Sequence, residues 1–172
     1  MAKGNKIVVS ERPKGVTIEG FMISQSPKPG TVMEIDWSVA AVSNRFAWEP
    51  WGVTGADGIR GVGADGDRRL MAVLIPDPNT GQASDTAYVS AASPGTRCHL
   101  YVPVAGEMLN MLVLDISGTG DDLRVGDIMI VNDGDGKLIE TTGDPESEPF
   151  IVLEALTDPM ADTLVWCMYT GQ

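Results

Sequence analysis

The chain has 172 residues, enough for one hydrophobic core with an extended segment attached, and its 43% apolar content excludes a wholly disordered polypeptide. Its 20 glycines and 11 prolines favour many short strands and turns over long helices. No apolar run approaches the roughly 18 residues that a membrane-crossing helix needs. The net charge of −12 is unevenly spread. Residues 1–30 carry a net +3, residues 31–99 a net −3 and residues 100–172 a net −12. So acidic a body repels phosphate, which argues against nucleic acid as a partner and leaves the basic first 30 residues to meet an acidic surface.

The chain opens without a signal-peptide pattern, because the apolar run Ile7-Val8-Val9 is broken at once by Ser10, Glu11, Arg12 and Pro13. Synthesis in a cytoplasm is expected, with Cys98 and Cys167 as buried, reduced thiols. Residues 1–30 read as an extended arm. Ile7-Val8-Val9 and residues 16–23 form short strands within it, and Ser26-Pro27-Lys28-Pro29-Gly30 turns the chain. The remainder, residues 31–172, reads as a single β-rich domain with a loop-rich part at 31–97 and a compact, barrel-like part at 98–172.

In the first part, Val32, Met33, Ile35, Trp37, Val39 and Val42 favour a strand, followed by Phe46, Trp48 and Trp51. The element Gly-Ala-Asp-Gly occurs at residues 55–58 and again at 63–66, which predicts a pair of turns or one long glycine-rich loop. Residues 71–75 form a strand that ends in the turn Pro76-Asp77-Pro78-Asn79-Thr80-Gly81. In the second part, residues 98–104 and 108–116 are apolar strand-like runs. Val125-Gly126-Asp127 then leads into Ile128-Met129-Ile130-Val131, and Asn132-Asp133-Gly134-Asp135-Gly136 turns the chain into Lys137-Leu138-Ile139-Glu140 as a hairpin. Residues 150–155 and 164–169 complete the strands, and residues 158–163 are the one candidate helix. Short strands at roughly 10-residue spacing with glycine turns predict an all-β fold, a small β-barrel or β-sandwich.

Catalytic patterns are absent. The single histidine, His99, directly follows Cys98, so on a strand the two side chains point to opposite faces and cannot act as a nucleophile and its base. Residues 132–136 resemble the middle of a calcium loop, but the first and twelfth ligand positions fall on Val131 and Thr142, so hairpin chemistry explains them and no metal is expected. Neither is a cofactor. Trp37, Trp48 and Trp51 are expected in the core or at a subunit interface; a sugar-stacking platform that also uses Trp166 is the alternative reading.

From Gly106 onward the order of elements resembles the head-decoration, or capsid cement, proteins of tailed phages. The features in common are a strand ending in the acidic glycine turn Ser117-Gly118-Thr119-Gly120-Asp121-Asp122, and the Val125-Gly126-Asp127 step into the hairpin Asp133-Gly134-Asp135-Gly136-Lys137-Leu138. Val152-Leu153-Glu154-Ala155 and the closing Asp162-Thr163-Leu164-Val165-Trp166-Cys167-Met168-Tyr169 follow. The resemblance implies a β-rich, non-enzymatic virion protein that binds the outside of the expanded capsid and stabilises it against internal DNA pressure. It also implies the major capsid protein as partner and self-association, as trimers in preference to dimers. On this reading Lys3, Lys6, Ile7, Val8, Val9, Arg12 and Lys14 form a capsid-binding arm whose cations meet capsid carboxylates. The rival function is a β-sandwich on the virion that recognises host surface glycans through the tryptophans.

Overall fold

The computed structural model describes residues 6–9, 12–36, 39–51, 70–91, 95–114, 122–132, 134–140, 150–159 and 162–171. Ten strands run in chain order: β1 (Val16–Met22), β2 (Val32–Ile35), β3 (Trp48–Pro50), β4 (Ala72–Ile75) and β5 (Thr96–Val102), then β6 (Met108–Leu112), β7 (Ile128–Val131), β8 (Leu138–Glu140), β9 (Phe150–Val152) and β10 (Leu164–Tyr169). The fold is all-β and sandwich-like. The first five strands make one antiparallel sheet in the order β1-β5-β4-β2-β3, and the last five make another in the order β6-β10-β9-β7-β8.

Counted from its own first strand, each sheet therefore has the same order, 1-5-4-2-3. The likeness extends further. In both sheets the first and last strands form the long antiparallel pair, and the third strand follows the second as a hairpin partner. In both, a single parallel bridge brings the first strand to the third: Phe21 to Ala47 in one sheet, Val113 to Leu138 in the other. These bridges curl each sheet without closing it into a barrel. The part expected to be loop-rich, residues 31–97, thus supplies most of a sheet equal in strand number to its neighbour.

Alternation along the strands produces two cores. Met22, Met33, Ala72, Leu74, Cys98 and Leu100 line one face of the first sheet and pack with Trp48 and Tyr88. The other face contributes Val32, Val73 and Tyr101 to a larger core with Leu109, Met111, Val113, Met129, Leu138, Phe150, Val152, Val165 and Cys167 of the second sheet. Both cysteines are free and buried. Burial pushes the Cys98 thiol up to about 12 and the Cys167 thiol up as well, so both stay protonated at neutral pH.

The sheets are joined by peptide groups as well as by side chains. Gly30 donates its N–H to Leu74 O on β4 (2.8 Å), and its carbonyl accepts from Leu112 N on β6 (3.1 Å). Val32 N donates to Gly136 O in the β7–β8 turn (2.8 Å), Val32 O accepts from Trp51 N (2.9 Å), and Gly134 N reaches Trp51 O (3.0 Å). Beside this seam Asp162 receives Lys28 Nζ and Lys137 Nζ, each at 2.8 Å. The two lysines hold the Asp162 carboxyl below the usual carboxylate range.

Two expectations are corrected. The described residues between 6 and 30 are not a separate arm: β1 is fully paired with β5 from Val16 to Met22, Ile7 is 2% exposed in the larger core, and Val8 bridges Leu109 on β6. The described residues of the candidate helix at 158–163 are not helical, and Asp158 (φ 44°) and Asp162 (φ 63°) take left-handed turns instead. Trp48, expected in the core or at a subunit interface, is 2% exposed and packs in the smaller core. The paired Gly-Ala-Asp-Gly elements lie outside the described residues.

The close approach at Gly136 gives a direct check. A Cβ there would stand 2.2 Å from Val32 O, at φ +66°, whereas a Cβ on Gly134 (φ +106°) would meet nothing within 4 Å. Gly136→Ala is expected to cost more than the roughly 1–2 kcal/mol that left-handed backbone alone imposes, and Gly134→Ala to cost about that amount. Urea midpoints of the two variants against the wild type read the difference.

Candidate interaction surfaces

The N-terminal segment is laid onto β6 by backbone pairing. Val9 N donates to Met108 O (3.0 Å) and Asn110 N donates to Ile7 O (2.7 Å). Asn110 Nδ2 donates to Lys6 O as well (2.5 Å). Ile7 points into the core, and Val8 and Val9 are half-buried. Of the residues expected to bind a partner, these three apolar ones are therefore spent largely inside the molecule. Burying Ile7 contributes about 1.5–3 kcal/mol to the fold. The side chains of Lys6, Arg12 and Lys14 are exposed, so this anchored segment presents its cations to solvent. Lys3 lies outside the described residues.

The segment then crosses the junction between the sheets, where Glu107 gathers it. One carboxylate oxygen accepts from Lys14 N (2.5 Å), Gly15 N (3.3 Å) and the Tyr101 hydroxyl (2.6 Å), and the other from Val104 N (2.8 Å). Gly15 N also donates to the Tyr101 hydroxyl oxygen (2.8 Å). Glu107 is 4% exposed. Burial alone pushes its carboxyl up, but donors from Tyr101, Val104, Lys14 and Gly15 outweigh that and hold it below its ordinary value. Burial and the Glu107 charge push the Tyr101 hydroxyl up to about 12, so it remains a donor throughout the physiological range. Together these groups fix the stretch that carries Arg12 and Lys14 against the end of β5. Sequence reasoning missed Glu107, because its partners lie in three separate stretches of chain.

The described tryptophans, Trp48, Trp51 and Trp166, form no exposed platform. Trp48 is enclosed beneath β1, with its indole where a Cβ on Gly20 would sit. Trp51 is half-buried and packs against the larger core. Trp166 is partly buried on β10, with its Nε1 enclosed and without a hydrogen-bond partner. Trp37 lies outside the described residues. Cys98 and His99 occupy opposite faces of β5, Cys98 in the core beneath it and His99 with Nε2 at 3.3 Å from Asp77 Oδ1. In the β7–β8 turn, Asp135 Oδ1 accepts from Asn132 Nδ2 (3.0 Å) and Lys137 N (3.1 Å), so that oxygen serves the hairpin. No group of three or more His, Cys, Asp or Glu among the described residues is placed to hold a metal ion.

One further surface is an open strand edge. On β1, Val16 is 61% exposed, and Thr17 and Glu19 are exposed beside it. Glu19 is held by Arg97 and by Arg45 (Nη2 to Oε2, 2.9 Å), which keep its carboxyl below the usual range.

No family model and no curated protein matches the chain. Among solved structures it is similar to the N base of head fiber gp8.5 in bacteriophage phi29, at 11% identity and a TM-score of 0.48, over 91% of this chain and 94% of that one.

The depressed Glu107 carboxyl sets a pH dependence. Its stabilisation is fully present above the unfolded value, about 4.3, and is lost as pH falls through the lower folded-state value. Glu107→Gln is expected to cost about 2 kcal/mol at pH 7, as charge-assisted hydrogen bonds do. The gap to the wild type should narrow steadily in strongly acidic buffer. Urea midpoints across a pH series measure it, and a gap independent of pH would contradict this role.

Proposed function

We propose that this chain is a structural protein of a tailed-phage head, which binds the exterior of the expanded capsid through its major subunit and stiffens the shell against internal DNA pressure. The observation that carries the reading is the anchored basic segment. Lys6, Arg12 and Lys14 project from backbone tied to β6 and Glu107, on a chain whose last part, residues 100–172, holds all of the net negative charge. A preordered cationic strip loses less conformational entropy on docking than a free arm does. The acidic part suits a face turned to solvent and away from other particles. The resemblance of residues 106–172 to capsid cement proteins supports the same reading. Many identical contacts on a symmetric shell add avidity to a weak single contact.

The glycan reading has less support. A stacking platform needs exposed indoles, and Trp48 is enclosed while Trp51 is half-buried.

Co-sedimentation with expanded shells, using unexpanded proheads as control, tests the proposal. Saturable binding to expanded shells at a fixed ratio to the major subunit is expected. The combined variant Lys6→Ala, Arg12→Ala, Lys14→Ala should bind about tenfold more weakly at low salt, since three exposed ion pairs contribute a few tenths to 1 kcal/mol each. Added salt should shrink that difference. Absence of binding to either shell would overturn the capsid role.

A further inference from the structure

Each sheet has one face turned away from the larger core that the two share. In the first sheet that face is closed by Trp48 and Tyr88. In the second, strand alternation turns Met108, Met168, Ile151 and Ile128 outward as one cross-strand row over β6, β10, β9 and β7, with Ile130 beside Ile139 on β7 and β8. None of them belongs to or packs against either core. Met108 is 37% exposed and the others are half-buried. By the same alternation no outward position of β6 to β10 carries a charge, on the half of the chain that holds the net −12. Acids stand at the margins instead: Asp127 directly before Ile128, Glu140 directly after Ile139, and Glu154, whose carboxylate accepts from Trp166 N (2.9 Å). Of the cations in residues 100–172, Arg124 and Lys137, the second is held by Asp162.

The first sheet carries a projection of matching chemistry. Val42 and Arg45 exchange both backbone hydrogen bonds (3.0 Å each) around Ser43 (φ 51°) and Asn44 (φ 61°), which makes a two-residue hairpin turn. Its base is tied to the sheet where Phe21 N donates to Phe46 O and Asp36 N to Ala47 O. Every residue from 40 to 46 is exposed, Val42 at 52% and Phe46 at 46%. The one charged side chain between residues 39 and 47 is Arg45, and it shares the single carboxylate of Glu19 with Arg97. The tip is therefore held in shape, apolar and flanked by a surplus cation.

We propose that the 42–46 turn of one copy packs Val42 and Phe46 on the outward face of the second sheet of another copy, head to tail. This goes beyond the capsid reading and does not depend on it. Burial of the two apolar side chains against the isoleucine and methionine row supplies the attraction, and the preformed turn limits the cost of ordering. The surplus cation of Arg45 and Arg97 meets the acids along the margin of the face. Charge also selects this pairing over a two-fold contact between second sheets. That contact would bring together two halves of −12, whereas residues 1–99, which carry the turn, sum to zero. Because turn and face are separate surfaces, each copy keeps one of them open after a first contact, and contacts repeat until the rotation closes a ring.

Sedimentation equilibrium of the full chain over a range of concentrations tests the contact. The wild type is expected to form oligomers. Phe46→Asp, and separately Ile151→Lys, should each weaken association about tenfold or more with unchanged far-ultraviolet spectra. Ile151→Thr, which keeps a β-branched residue on β9, replaces Ile151→Lys should that variant not fold. The deciding measurement mixes the two variants. Phe46→Asp retains its outward face and Ile151→Lys retains its turn, so the mixture should form a one-to-one dimer and add no third copy. A wild type that is monomeric at every concentration would overturn the proposal. So would a folded variant that associates like the wild type, or a mixture no more associated than its separate parts. Because the assay contains no capsid shells, failure here leaves the capsid reading to its own test.

Discussion

The backbone from Gly30 to Val32 hydrogen-bonds in two directions at once, and the arrangement of the two sheets depends on it. Gly30 gives its N–H to β4 and receives Leu112 of β6 on its carbonyl, and Val32 then reaches the β7–β8 turn at Gly136. A side chain at Gly30 would approach Leu164, Asn110 O and Leu112 N within 3.0–3.2 Å, so the left-handed glycine (φ +93°) is what lets the two sheets share one strip of main chain. Hydrophobic burial between Val32, Val73, Tyr101 and the second sheet supplies most of the driving force. The shared peptides supply register, which burial alone does not specify. The Lys28–Asp162–Lys137 cluster closes the same seam at the surface.

Around that seam the molecule is a pair of like units with unlike surfaces. Each has the same strand order and the same parallel bridge from first strand to third. Their differences are concentrated where other chain segments meet them. The second unit recruits residues 7–9 along β6, while the first covers one face of its sheet with Trp48 and Tyr88, the latter donating its hydroxyl to Ile75 O (2.7 Å). Charge diverges as well, neutral through residue 99 and strongly acidic beyond it. Likeness of backbone with divergence of edge, cover and charge allows one chain to offer a contact face and a solvated face from a single architecture.

Local patterns in the chain carried much of this. The Asn132–Gly136 turn chemistry located the β7–β8 hairpin, and apolar runs located β1, β4, β5, β6, β9 and β10, because strand alternation and positive-φ turns are short-range signals. The two buried thiols were legible on the same grounds. Pairing across long sequence separations was not. Ile7-Val8-Val9 reads as a free strand because nothing nearby announces that β6 will take it up. Trp48 reads equally well as core or interface until Gly20 is placed above it. Tyr88 lies in a polar stretch without periodicity, and its burial is decided by Pro27 O and Ile75 O, which accept its N–H and hydroxyl. Glu107 looks like any surface acid until Lys14, Gly15, Tyr101 and Val104 converge on it. The repeat of strand order leaves no trace as repeated sequence, since the same topology is specified by different side chains in the two halves.

The docking of residues 7–9 on β6 also bears on the order in which the chain acquires structure. All five strands of the first sheet precede β6, so during synthesis that sheet can assemble while the strand that will receive Ile7 has not yet been made. Residues 7–9, made before the first sheet, are thus among the latest of the described residues to find their place, and the loop they must close is long. Until then Ile7, Val8 and Val9 form a short unpaired apolar segment beside a growing domain, and the exposed Lys6 next to them favours its solvation. Their settling on β6 marks the joining of the two halves, a step that follows the folding of each.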